Sequence, residues 1–249
     1  MVAEPGWHDE AVCEILDREE TRSGSGEDMT VRRIVDLSHV VEDGMTTYPG
    51  LPGPEIGDHL TREASRERYA PGTEFHIGRI TMVANTGTYL DTPFHRYPDG
   101  TDLATTPLER MVELDAVVVD ATGQPTIEVE LLRGRRVGGR AVLLRTGWSR
   151  NWGTEAYFSG HPFLTATGAE WLVEQHAALV GIDSLNIDGT ATGERPAHTA
   201  LLAAGIPIVE HLCNLDQLPA QGFRFTAAPP AVAGLGTFPV RAFAVLDGE

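Results

Sequence analysis

Asn85-Thr86-Gly87-Thr88-Tyr89-Leu90-Asp91-Thr92-Pro93-Phe94-His95 is the stretch around which the chain is organised. It follows a run of strand-like alternation in which Ile80, Met82 and Ala84 share one face. Gly87 allows a sharp turn, and Pro93 cannot donate to a central ladder. Asp91 and His95 therefore leave a sheet together, four residues apart, as a carboxylate and an imidazole suited to acid–base or metal chemistry. The same pair also describes an Asx-turn beside a surface histidine. Other segments of the chain have to decide between the two.

Three such segments place polar groups beside apolar ones. Gly181-Ile182-Asp183-Ser184-Leu185-Asn186-Ile187-Asp188 reads as a buried strand running into acidic and amide side chains. Arg195-Pro196-Ala197-His198 opens a helix, and Val209-Glu210-His211 continues the apolar run Ile206-Pro207-Ile208. A carboxylate inside a buried strand has to be paired, ligated or protonated, which makes Glu210 the most informative acid after Asp91. His211 reads as a satisfied core histidine.

Outward from these segments, strands are expected over 31–41, 75–84, 116–120, 141–144, 179–182, 206–212, 223–227 and 240–246. Helices are expected over 127–133, from a capping box at Thr167-Gly168-Ala169-Glu170 through His176, and over 198–204. Strands outnumber helices and the two mix, so the fold class is α/β, a mixed sheet with flanking helices in one domain over 29–249. Residues 1–28 carry nine acidic side chains against Arg18 and Arg22 and end in a Gly/Ser stretch, as expected of a flexible acidic extension. Met29 is a conceivable alternative start.

Composition narrows the partners. With 41% hydrophobic residues and 22% charged, the 249-residue chain can bury a core. A net charge of −17, from 19 basic and 36 acidic residues, argues against nucleic acid and against anionic lipid. No apolar run is long enough to span a bilayer, and the N-terminus does not read as a secretion signal, so a cytoplasmic protein with a small-molecule substrate is expected. Cys13 and Cys213 have no second cysteine at metal-ligand spacing and imply no disulfide framework.

Taken in order, these residues resemble the cyclase family, which includes bacterial kynurenine formamidases and isatin hydrolase. The family hallmark, His-x-Gly-Thr-His-x-Asp-x-Pro-x-His, aligns with residues 85–95. Asp36-Leu37-Ser38, Tyr48-Pro49-Gly50, Gly181-Ile182-Asp183-Ser184, Pro196-Ala197-His198, Glu210 before Asn214-Leu215, and Pro239-Val240-Arg241-Ala242 extend the likeness across residues 31–246. The resemblance implies a swivelling β/β/α-type fold, a homodimer or homotetramer, and hydrolysis of amides with divalent metal. The family's ligands that are retained fall on Asp91, His198 and Glu210, and its general acid/base falls on His95.

Two family ligands are missing, because the hallmark histidines are Asn85 and Tyr89 here. An amide oxygen is a weak ligand for Zn²⁺ or Mn²⁺ and a neutral phenol a poorer one. The expectation is one divalent cation at most, Zn²⁺ or Mn²⁺, on Asp91, His198 and Glu210, or a metal-free site in which Asn85 and Tyr89 donate to an oxyanion. His95 and Glu210 would then move protons on a small ring-bearing amide, lactone or ester. Trp148 and Trp152, with Phe158 and Phe163, are the expected apolar wall, and Arg195 the expected anchor for a carboxylate. The alternative is a metal-free isomerase, dehydratase or cyclase, or a protein that only binds a small carboxylate.

Overall fold

A computed structural model of the chain describes residues 32–246. The expectations for residues 1–28, Cys13 among them, and for Val31 lie outside these residues.

The core follows from the apolar runs. Strands β1 (Arg33–Asp36), β2 (Glu55–Leu60), β3 (Ile77–Thr81), β4 (Tyr89–Asp91) and β5 (Leu114–Asp120) come first, with a short helix α1 (Arg62–Ser65) between β2 and β3. After β6 (Thr126–Ile127) come α2 (Val129–Leu132), β7 (Ala141–Arg145), β8 (Phe163–Leu164), α3 (Ala166–Glu174), β9 (Leu179–Ile182) and α4 (Pro196–Ala203). The chain ends in β10 (Ile208–Glu210), β11 (Gln221–Thr226), β12 (Thr237–Pro239) and β13 (Phe243–Leu246). Among the described residues, nine strands form one mixed sheet in the order β1-β13-β11-β5-β7-β9-β10-β4-β12. Its centre, β5-β7-β9-β10, is parallel, which is why those strands are continuous apolar runs buried on both faces.

The two faces bury different clusters. Val117, Val119, Val142, Leu144, Val180, Ile182 and Ile208 face the helices and pack on Leu132, Leu172, Ala197, Leu201 and Leu202. Ala116, Val118, Leu143, Leu179, Leu90 and Val209 face the other way, where the sheet curls over Leu37, Met111, Leu215, Phe225 and Ala242. This period-2 division decides where the site lies. In β4 and β10, Leu90 and Val209 point into the second cluster, so Tyr89, Asp91 and Glu210 point to the helix face.

Several element boundaries differ from expectation. The strand expected over 75–84 is only Ile77–Thr81, and it pairs with β2 in a separate two-stranded arm rather than entering the main sheet. Ile80 is 48% exposed and its cross-strand partner Ile56 is 47% exposed. The alternation there marks an apolar outer surface, which sequence period cannot distinguish from a core face. Helix α3 is capped by Thr165, whose hydroxyl accepts from Gly168 N, and not by Thr167, because Thr165 keeps extended backbone while Thr167 lies inside the helix. Among the described residues no helix is long and apolar enough to cross a membrane.

Candidate active site

Five elements bring the site together on the helix face. Glu210 on β10 pairs directly with Tyr89 on β4, and Asp91 pairs across its other edge with Thr237 on β12. His198 stands in the first turn of α4, which opens with Pro196. After Asp91, the chain turns through a 3-10 segment, Pro93–His95, that returns His95 toward the same cavity. This turn lies hard against β12: a Cβ on Gly236 would be 2.2 Å from the His95 amide nitrogen.

Asp188 fixes the helix and its histidine together. Its carboxylate accepts from the backbone of Ala197 (2.7 Å) and His198 (3.0 Å), capping α4 from outside the helix. It also accepts from His198 Nδ1 at 2.7 Å, which leaves Nε2 directed at Asp91 Oδ2 and Glu210 Oε1, each 3.7 Å away. Burial opposes the imidazolium, but the hydrogen bond to Asp188 and the nearby carboxylates of Asp91 and Glu210 outweigh it and raise the His198 pKa to about 10.

A second chain of hydrogen bonds settles the tautomer of His95. The Thr237 hydroxyl donates its one proton to Asp91 Oδ1, so at 2.7 Å from His95 Nδ1 it can only accept. His95 therefore carries its proton on Nδ1 and has its Nε2 lone pair free. Its side chain is 35% exposed, whereas Asp91 is fully buried.

Glu210 is held by several donors. Oε1 accepts from Ile187 N at 2.7 Å and Oε2 accepts from Tyr89 at 2.5 Å, while the Tyr48 hydroxyl, whose one proton goes to Leu185 O, stands 3.3 Å from Oε2 without donating to it. The Tyr48 hydroxyl is 2.6 Å from Leu185 O and 3.1 Å from the Asn186 amide nitrogen. Burial, countered in part by His198, raises the Glu210 pKa to about 7. Burial beside Glu210 likewise pushes both phenols well above their ordinary range, so Tyr48 and Tyr89 stay protonated.

One polar atom of the site is left over. Asp91 Oδ2 is buried without a hydrogen-bond partner, at a cost that a cation in front of it would remove. One ligand atom each from Asp91, His95 and His198 lies within 4.8 Å of the others. The residues thus fit a single divalent cation on Asp91 and His198, with His95 or Glu210 Oε1 beside it.

The expected residues do not all meet here. A cavity of about 650 Å³ is lined by Asn85, Tyr89, His95, Arg195, His198 and Glu210, and also by Tyr48 and Arg96. Tyr89 is present but its hydroxyl proton is committed to Glu210, so it is not free to serve an oxyanion. Asn85, whose side chain has no partner among the described residues, keeps that capacity. Arg195 lines the cavity, yet its Nη1 donates to the carbonyls of Gly189, Thr192 and Glu194, which knits the 189–195 loop.

Trp148 and Trp152 do not line this cavity. The Trp148 indole donates to Tyr157 O at 3.0 Å, and Trp152 stacks on His39 with centroids 4.0 Å apart. The aromatic stretch packs behind the site through Tyr157 and His211, since those rings complete a buried layer before any reaches the cavity. His211 is a core residue as expected, but only half satisfied: Nδ1 meets the Tyr157 hydroxyl at 2.8 Å and Nε2 has no partner.

Tyr48, Asp188 and Thr237 were not singled out individually by sequence reasoning. Asp188 had a signal, an acid shortly before a helix that starts Arg-Pro without its own capping side chain. Thr237 had none, because its role exists only through the β12–β4 pairing.

Comparison with known proteins gives the family and the fold. The profile of the Cyclase family, described as "Putative cyclase", matches residues 35–189, and the chain belongs to that family. It is 29% identical over 216 residues to a kynurenine formamidase of Bacillus cytotoxicus, covering 84% of this chain and 95% of that one. Isatin hydrolase A from Ralstonia solanacearum superposes with a TM-score of 0.72 at 26% identity, covering 86% of this chain and 92% of that one. A structure titled a potential metal-dependent hydrolase with cyclase activity gives 0.71 at 26% identity, over 88% of this chain and 100% of its own.

Proposed function

We propose that the protein is a hydrolase that opens the C–N bond of a small aryl amide, using one divalent cation and His95 as general base. The observation that carries this reading is the pairing of an unsatisfied buried oxygen, Asp91 Oδ2, with a histidine whose free Nε2 opens on the same cavity. The names of the relatives support the substrate class. Asp91 and His198 would hold the cation, with Glu210 Oε1 as third ligand, and the Asp188 carboxylate keeps the His198 tautomer that such ligation requires. When bound, a Zn²⁺ or Mn²⁺ ion supplies Lewis-acid polarisation of the carbonyl and activates water. One ion rather than two follows from Tyr89, whose hydroxyl proton occupies Glu210 where a second ligand set would be needed.

The rest is done by the chain's own groups. His95 Nε2 takes a proton from water as the oxygen attacks the carbonyl carbon, and returns it to the amine nitrogen as the C–N bond breaks. Nδ1–H stays bonded to Thr237 throughout, so the ring shuttles the proton without changing tautomer at that end. The Asn85 amide donates to the developing oxyanion, a contribution of about 3 kcal/mol when preorganised. Tyr89, Asn186 and the Ile187 backbone amide hold Glu210 in place and bring no free charge to the cavity.

The test separates ligand from base. Metal content after purification and hydrolysis of formanilide are measured for the wild type, Asp91→Ala and His95→Ala. Asp91→Ala is expected to lose the metal; His95→Ala is expected to keep it and lose about 10²–10⁴-fold in kcat. Loss of metal in His95→Ala would make His95 a ligand and remove its role as base. A metal-replete wild type that turns over neither formanilide nor aryl esters would refute the hydrolytic reading.

We also propose that the chain is a homo-oligomer built through the arm of β2 and β3. Ile56 and Ile80 on that arm are exposed cross-strand partners, and Phe75 and Tyr69 pack edge-to-face beside it while also remaining exposed.

A further inference from the structure

The cavity mouth carries two arginines that differ in what they already do. Arg195 spends Nη1 on three carbonyls of its own loop. The guanidinium of Arg96, next in sequence to His95, has no carboxylate or carbonyl partner among the described residues. Its Cζ lies 5.7 Å from the centroid of the Tyr97 ring, and the Tyr97 hydroxyl donates to Thr199 O on α4 at 2.9 Å. The ring thus seats the guanidinium between the catalytic turn and the helix that carries His198. The cavity floor is acidic, with Glu210 on it and Asp91 just behind, and the chain as a whole has a net charge of −17, so an anionic substrate needs a local cation to enter.

We propose that Arg96 determines specificity by binding a carboxylate on the substrate's ring, next to the scissile amide. The inference rests on the hydrolytic reading above. A planar guanidinium matches a planar carboxylate with two parallel hydrogen bonds, and its place one residue from His95 keeps the bound carboxylate close to the reacting carbonyl. Glu194 on the same rim disfavours a dianion, which limits the ligand to a single negative charge.

The test compares 2-formamidobenzoate with neutral formanilide, reading the ratio of their kcat/KM values in the wild type, Arg96→Gln and Arg96→Lys. Arg96→Gln is expected to lower the ratio about 10- to 100-fold, the span of a hydrogen bond to a charged group, with Arg96→Lys falling between. An unchanged ratio in Arg96→Gln overturns the proposal. If the wild type hydrolyses neither compound, the hydrolytic reading has failed on its own, and the subsite is judged by calorimetric binding of 2-aminobenzoate. Binding to the wild type that weakens at least about 10-fold in Arg96→Gln sustains the subsite. Equal binding to both, or none to the wild type, removes it.

Discussion

Asp188 joins stability to chemistry in one carboxylate. It satisfies two helix N–H groups and one imidazole N–H, and it is fully buried. Asp188→Asn keeps one acceptor oxygen for the helix but removes the charge facing His198. The expected result is about 10- to 100-fold weaker metal binding, the usual cost of losing a group that orients a ligand. Stability should fall by no more than about 2 kcal/mol, the upper range for a lost helix cap. Titration with Zn²⁺ and urea denaturation of the metal-free protein read the two effects separately; unchanged metal affinity would show that the His198 ring is oriented by its other neighbours. The placement of Asp91 and His95 on either side of a strand end was legible at this scale, because Pro93 between them ends the ladder. The commitment of the Tyr89 proton to Glu210 was not, since the partners are separated by 121 residues.

At the scale of elements, the site depends on how closely the 92–95 turn approaches β12. Thr92 N donates to Gly236 O at 2.7 Å, and any side chain at 236 would enter the His95 backbone. Gly236→Ala should therefore displace the turn, costing about 1–3 kcal/mol in stability as overpacking does. It should also lower kcat, because His95 moves with the turn while Asp91 stays on β4. Thermal denaturation and formanilide turnover measure this, and wild-type kcat in a folded Gly236→Ala variant would mean that the turn tolerates displacement. The buried parallel strands were readable because burial on both faces makes them unbroken apolar runs. The limits of β3 and the cap of α3 were not, since apolar alternation also suits an exposed arm and Thr165 and Thr167 are both able to cap.

For the whole molecule, the exposed arm carries the next expectation. Ile80→Asp places a charge opposite Ile56 on its apolar face and should convert the assembly to a monomer in sedimentation or light-scattering measurements. The arm is paired only within itself, so the main sheet and its two clusters should keep their stability. A variant that retains the wild-type mass would place the contact elsewhere, and a wild type that is already monomeric would remove the oligomer.

By itself the sequence determined the family, the α/β class, the central strands and six of the residues that line the cavity, because local spacing and long apolar runs depend on nearby residues alone. It also placed Asn85 and Tyr89 where the family hallmark has histidines. Only the tertiary structure decided how the site is arranged: a phenol proton on Glu210, a threonine that sets the His95 tautomer, and an arginine at the mouth whose guanidinium has no carboxylate or carbonyl partner among the described residues. It also put the tryptophans behind the site and drew one nitrogen of Arg195, which lines the cavity, into hydrogen bonds with its own loop. These outcomes depend on which hydrogen-bond donors meet which acceptors across strands distant in sequence, and that pairing exists only once the sheet has closed.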